Sequence, residues 1–117
     1  MKFITPKVHG IIDILVVLFL LASPTLFDFT GTLATFTYAL AVVHLLLTLT
    51  TDYSIGIVKL VPLSIHGSIE FIVGVVLIVL AYTFFKDEDT GKLYYIVFGT
   101  VILLTWAVTD YKKTAEV

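Results

Sequence analysis

The sequence contains no cysteine and no arginine, and only 14% of its 117 residues are charged. Without cysteine there are no disulfides, no thiolate metal sites and no cysteine nucleophile, and the redox compartment is left open. Without arginine, and with a formal net charge of −2, the chain offers no phosphate-binding surface to a nucleic acid. It also lacks a Gly-rich phosphate loop, a nucleophile elbow, an HExxH pair and a haem-attachment motif. No enzyme class and no cofactor is therefore implied by motif. What is abundant is apolar surface. A soluble domain is roughly 45–50% apolar, whereas this chain is 59% apolar with a mean hydropathy of +1.08. An integral membrane protein is the class that remains.

A membrane-spanning helix needs roughly 20 mostly apolar residues. Four stretches meet or approach that length: Val8 to Phe27, Leu33 to Thr51, Ile65 to Phe85 and Leu93 to Thr109. The segments Asp28-Phe29-Thr30-Gly31-Thr32 and Lys86-Asp87-Glu88-Asp89-Thr90-Gly91-Lys92 separate them with turn chemistry. Short connections make neighbouring helices antiparallel. The expected fold is an all-α membrane protein, with four transmembrane helices in an up-down-up-down bundle. Pro24 lies late in the first stretch and should kink or end it. Lys2 and Lys7 ahead of that stretch, and Ala22-Ser23-Pro24 near its end, superficially fit a cleavable signal. Asp13 within the stretch, and the return of its pattern later in the chain, argue for a retained helix. Lys2, Lys7, Lys59, Lys112 and Lys113 fall on one side of the membrane, and only Lys86 and Lys92 on the other. The positive-inside rule then places both termini in the cytoplasm.

The chain repeats itself. One copy carries Lys2-Phe3-Ile4, His9-Gly10-Ile11-Ile12-Asp13 and Thr51-Asp52-Tyr53. The other carries Lys59-Leu60-Val61, His66-Gly67-Ser68-Ile69-Glu70 and Thr109-Asp110-Tyr111. Leu and Val match by chance in any two membrane helices, but His-Gly, an acid and Thr-Asp-Tyr do not. Residues 1–117 read as a single membrane domain of two helical hairpins, residues 2–53 and 59–111. Both enter the membrane from the same side, as parallel repeats about an axis along the membrane normal.

At these residues the chain resembles the bacterial SPW-repeat membrane proteins. The likeness lies in Lys2-Phe3-Ile4-Thr5-Pro6-Lys7-Val8-His9-Gly10-Ile11-Ile12-Asp13 and Ala22-Ser23-Pro24. It continues in Thr51-Asp52-Tyr53 and in Gly56-Ile57-Val58-Lys59-Leu60-Val61-Pro62. Thr25 stands where the family has its tryptophan, and Ala81-Tyr82-Thr83 where the tripeptide would recur. The resemblance implies a multi-pass protein of the bacterial inner membrane, and it carries over no catalytic residue.

Ionisable groups within spans are costly, about 2.5–3.5 kcal/mol each at a helix centre. His9 with Asp13 and His66 with Glu70 are spaced i,i+4, so each pair shares a helix face. Asp52 and Asp110 close the returning helices at the same level. The candidate polar cluster is thus His9, Asp13, His66, Glu70, Asp52 and Asp110, with His44 about two turns deeper. His44 has Ile102 as its counterpart and breaks the symmetry. Imidazole and carboxylate together suit Zn²⁺ or another divalent metal, or a proton relay. The cheaper reading is structural, because acids near a helix N-terminus are favoured by the macrodipole and histidines can satisfy them. Asp52 and Asp110 are worse placed, at helix C-termini, and Lys59, Lys112, Lys113 or the histidines are candidates to compensate them. Haem between His9 and His66 is disfavoured by their position at the helix ends.

Gly67, Gly74 and Ala81 form a stripe on the third helix, and Ala34 and Ala41 on the second, as close helix contact in lipid requires. Such stripes also favour a homo-oligomer. The tyrosines and Trp106 sit mostly near span ends, as an aromatic belt would. The link from Ile55 to Val61 is too apolar for a solvated loop and should lie in the interface, with Lys59 reaching to water. Thr5-Pro6 and Ser64 look like helix-start chemistry. The polar residues gather at one end of the bundle, with no continuous polar route across it. That favours a non-enzymatic membrane protein acting through assembly or partner contacts. The alternative is a proton- or divalent-metal-handling protein that uses the cluster.

Overall fold

A computed structural model describes residues 2–53 and 55–111; Lys112 and Lys113, counted above in the lysine balance, lie outside the described residues. Four helices follow one another: α1 (Pro6–Leu26), α2 (Gly31–Thr50), α3 (Leu63–Tyr82) and α4 (Asp89–Val108). At 1.5 Å per residue, their 20 or 21 residues extend about 30 Å, the thickness of a hydrocarbon core. All four are long and apolar enough to cross a membrane. The protein is an all-α four-helix bundle of membrane-spanning type. α1 packs along α2, and α3 along α4. The outward faces carry Leu15, Leu18, Val43, Leu46, Val79 and Leu104, all exposed, which is the surface a lipid solvent calls for.

Each helix begins up to a turn ahead of its apolar stretch, because the first N–H groups need polar or preset residues. The Thr5 hydroxyl accepts from the Val8 N–H at 3.3 Å, with Pro6 in the first turn. Pro62 stands at the start of α3, and Ser64 does not cap it. Asp89 in the first turn of α4 suits the helix dipole. Pro24 falls in the last turn of α1, which stops at Leu26. The chain then reverses through Asp28 and Gly31, both at positive φ (55° and 56°).

The third apolar stretch outruns its helix. α3 stops at Tyr82, and the Phe85 N–H turns back to the Leu80 carbonyl at 2.8 Å. This folds the Phe85 ring inward against Phe36 and Tyr95, at 5.4 and 5.8 Å between centroids. The extra apolar residues fill a core instead of spanning lipid. Leu20, Leu77, Phe29, Phe85, Tyr95 and Phe98 make up much of that core. Two hydroxyl pairs lie in the same half of the bundle. Thr37 gives its proton to the Leu33 carbonyl, so the Tyr95 hydroxyl donates to Thr37. Tyr94 donates to Ser23 at 2.7 Å, and Ser23 donates to the Phe19 carbonyl.

Small residues let the helices meet. A Cβ on Gly99 would lie 2.8 Å from the Gly74 carbonyl oxygen, so α3 and α4 touch backbone to backbone there. Ala41 and Ala81 are fully buried. These positions serve contacts within the chain, and Gly67 faces the Tyr111 ring.

The residues before α1 and α3 tie the two hairpins together. The Ile4 N–H donates to the Val108 carbonyl, and the Asp110 N–H to the Ile4 carbonyl, both at 3.0 Å. In matching positions the Val61 N–H donates to the Thr50 carbonyl, and the Asp52 N–H to the Val61 carbonyl, both at 2.8 Å. In the link, Ile57, Val58 and Leu60 are exposed, as an interfacial segment would be. Lys59 is exposed too, and its ammonium also donates to the Tyr53 carbonyl.

Candidate functional site

The i,i+4 pairs on α1 and α3 face each other across the bundle. His9, Asp13, His66 and Glu70 are all buried, and one ligand-type atom from each lies within 4.8 Å of the others. His9 Nε2 is 2.7 Å from Glu70 Oε1 and 3.3 Å from Asp13 Oδ1. His66 Nε2 is 3.0 Å from the same Glu70 oxygen and 3.3 Å from Asp13 Oδ2. The two imidazoles stand edge to face at 5.5 Å. His44, on α2, adds a third nitrogen, with Nε2 at 3.4 Å from Asp13 Oδ1.

The Thr-Asp-Tyr segments adjoin this group, and their alternation of inward and outward residues follows from backbone geometry. After α2 and α4 end, Thr51 and Thr109 are extended, with ψ of 143° and 136°. Successive residues of an extended chain point to opposite sides. Thr51 and Tyr53 are therefore buried while Asp52 is exposed. Thr109 is buried and Asp110 half-buried. Neither Asp52 nor Asp110 belongs to the converging four. Their neighbours do the work at the site, and the sequence marks those neighbours only as parts of a repeated tripeptide.

Each histidine is oriented by a threonine of the other hairpin. His9 Nδ1 is 2.9 Å from Thr109 Oγ1, and His66 Nδ1 is 2.6 Å from Thr51 Oγ1. Each threonine has already given its one proton to a carbonyl of its own helix, Thr105 or Leu47, at 2.6 Å. The hydroxyl oxygen can then only accept, so Nδ1 must carry the proton and donate it. Both Nε2 atoms are thereby turned toward the carboxylates. Each carboxylate in turn accepts from a tyrosine of its own hairpin. Tyr53 donates to Asp13 Oδ2 at 2.8 Å, and Tyr111 to Glu70 Oε1 at 2.9 Å. Burial, reinforced by the adjacent carboxylate, pushes both phenols above their usual range, so they stay protonated and donate.

This arrangement explains the His-Gly pairs. A Cβ on Gly67 would stand 3.1 Å from the Tyr111 ring, and one on Gly10 would meet Ile55 at 2.5 Å and the Tyr53 ring at 3.3 Å. Glycine beside each histidine clears the path by which tyrosine reaches the acid one turn further on. Position near the span ends assigns Tyr53, Tyr111, Tyr94 and Tyr95 to an interfacial belt. The structure corrects this, since their hydroxyls are hydrogen-bonded inside the protein, whereas Tyr38 and Tyr82 are exposed.

The Nε2 atoms of His9, His44 and His66 are buried, and none meets a hydrogen-bond acceptor in line. The distances to the carboxylates are short but the directions are not those of N–H···O bonds. The atoms converge on a common volume instead of pairing off. A tetrahedral ion about 2.0–2.1 Å from each ligand would hold neighbouring ligand atoms about 3.3 Å apart. The 2.7 and 3.0 Å separations to Glu70 Oε1 fall short of that edge, the 3.3 Å separations to the two Asp13 oxygens match it, and the four ligand atoms lie within 4.8 Å of one another.

Fold and site together define a class: a membrane protein of four spanning helices with a buried cluster of two histidines and two carboxylates at one end. No protein-family model, curated protein or solved structure matches the chain. The likeness to SPW-repeat proteins accordingly rests on the residues quoted for it.

Proposed function

We propose that this is a non-enzymatic membrane protein that holds a divalent transition-metal ion, of the zinc class, among His9, Asp13, His66 and Glu70. The observation that carries the reading is the fixed tautomer: two buried histidines donate Nδ1–H to spent threonine hydroxyls and present Nε2 to two carboxylates. A neutral imidazole nitrogen facing an anion is repulsive without a cation between them. Two imidazolium ions paired with the carboxylates at 2.7–3.3 Å would also balance the charge; the convergence of three Nε2 atoms, none with an acceptor in line, favours the ion. Two carboxylates and one divalent ion form a neutral unit, which is what a buried site needs. The threonines and tyrosines are the outer partners that metal-binding histidines and carboxylates ordinarily have. Function through assembly alone leaves those converging nitrogens unexplained.

The reading is of a single membrane domain of two repeats, residues 2–53 and 59–111, in the SPW-repeat family. The matched backbone pairs of Ile4 and Val61, and the matched Thr and Tyr contacts of the site, support it. The lysine balance supports an inner-membrane location with both termini cytoplasmic, which puts the cluster at the cytoplasmic end. A cysteine placed at Asp87 should then be labelled by impermeant reagents from outside, and protection there would reverse the orientation. A homo-oligomer is part of the proposal, with an apolar groove of about 560 Å³ between α1 and α4, lined by Leu15, Phe19, Leu93 and Val97 among others, as the face a second copy would cover in place of lipid. Cross-linking in native membranes that yields only monomer would remove that point.

The metal reading is tested by elemental analysis of protein purified without chelator. About one transition-metal ion per chain is expected, or the uptake of one after incubation with Zn²⁺. Protein that stays free of metal after incubation would overturn the reading.

A further inference from the structure

His44 is the one member of the cluster without a counterpart. His9 answers to His66, Asp13 to Glu70, Thr51 to Thr109 and Tyr53 to Tyr111, but the position matching His44 holds Ile102. His9 and His66 have Nδ1 held by a threonine; among the described bonds, no hydroxyl holds the Nδ1 of His44. Its Nε2 is buried, lacks an acceptor in line, and points to the Asp13 carboxylate at 3.4 Å. His44 is thus aimed at the centre without being locked into it.

A cavity adjoins it. About 50 Å³ of space lies between α2 and α3, bounded by Leu40, His44, Leu47, Glu70, Val73 and Ile102. Its lining is apolar apart from His44 and Glu70, and Glu70 is one of the four converging residues. A water needs only about 10–15 Å³ of space open to its centre, and at least two polar partners. The cavity therefore admits a few waters or a ligand of a few atoms. Histidine, where the other repeat has isoleucine, gives this side of the site a second polar group beside Glu70. Structural zinc sites are closed by four protein ligands, whereas sites that exchange a ligand keep room beside the ion.

We infer that the metal centre has one exchangeable position, on the His44 side, where a water or a small exogenous ligand binds the ion and hydrogen-bonds to His44. This rests on the metal reading above and assigns the asymmetry of the two repeats to it. His44 supplies the polar contact, and the cavity limits the size of what enters. The ion stays with the four symmetric residues while the ligand on the fifth side comes and goes.

The test uses the purified full chain loaded with Co²⁺, whose visible absorption reports coordination, and azide as the probe ligand. Azide should change the wild-type spectrum saturably. His44→Leu should weaken that response at least tenfold. Val73→Phe, which fills the cavity from a residue outside the cluster, should take up Co²⁺ like the wild type and no longer respond to azide. A wild-type Co²⁺ spectrum that azide leaves unchanged would overturn the exchangeable position and leave the metal reading intact. An azide response equally strong in Val73→Phe would also overturn it, because the ligand would be entering elsewhere. Failure of the wild type to bind Co²⁺ would remove the metal reading and this inference with it.

Discussion

Replacing Asp13 by alanine is expected to lower stability by about 3–5 kcal/mol, the usual penalty for leaving a buried charge without its partner. Asp13 is buried, and three imidazole nitrogens stand 3.3, 3.3 and 3.4 Å from its oxygens. The Tyr53 hydroxyl donates to it at 2.8 Å. Removing the carboxylate takes away half the negative charge that would balance the proposed ion and leaves the buried Tyr53 hydroxyl without an acceptor. Asp52 is the natural control. It is exposed and follows the end of α2, where the helix dipole disfavours an anion. Asp52→Ala should therefore stay within about 0.5 kcal/mol of the wild type. Unfolding followed in detergent by circular dichroism separates the two variants. Equal effects from both would mean that Asp13 is not at the electrostatic centre of the fold.

The second large effect concerns affinity. Thr51 and Thr109 touch no ion in the proposed site, yet they decide which imidazole nitrogen is available. Valine has the shape of threonine without the hydroxyl oxygen. In Thr51→Val or Thr109→Val the facing Nδ1–H loses its acceptor, and the ring is free to change tautomer or rotate. Loss of an outer partner of this kind typically lowers metal affinity by about 10–100-fold. The double variant should thus bind Zn²⁺ at least about 100-fold more weakly than the wild type, in competition with a chromophoric chelator. Thr50→Val is the control, since the Thr50 hydroxyl bonds only to carbonyls of its own helix and should leave Zn²⁺ affinity unchanged. A double variant with wild-type affinity would show that the threonines do not orient the histidines.

Much of the fold is legible in the sequence because a membrane helix has a length set by the bilayer, and four stretches near that length allow few arrangements. The internal repeat carries further information. His-Gly with an acid three residues beyond the glycine, paired with Thr-Asp-Tyr, marks the elements of the site in the sequence itself. What sequence alone misassigns is direction. Asp52 and Asp110 draw attention because they are charged, but an extended residue between two inward neighbours must point away from them. Tyr53 and Tyr111 resemble belt residues because belt tyrosines also sit near span ends, and only the glycine opposite each ring distinguishes the two cases. The end of α3 is misread for a different reason. Hydropathy does not separate a phenylalanine that faces lipid from Phe85, which turns back into the core. His44 stands out in sequence only as a break in symmetry, because its approach to Asp13 depends on how α2 sits against α1.

The central claim is that the cluster binds a metal ion and is not merely a set of mutually satisfied side chains. Melting temperature with and without added Zn²⁺ tests it most directly, in the wild type and in Asp13→Asn combined with Glu70→Gln. The double variant keeps the shape of both side chains and removes their charge. A ligand that binds only the folded state stabilises by mass action, by about 2.7 kcal/mol at one hundred times its dissociation constant. The account predicts that Zn²⁺ raises the melting temperature of metal-stripped wild-type protein by several degrees and leaves the double variant unmoved. A wild-type melting temperature that does not respond to Zn²⁺, or an equal rise in both proteins, would contradict it.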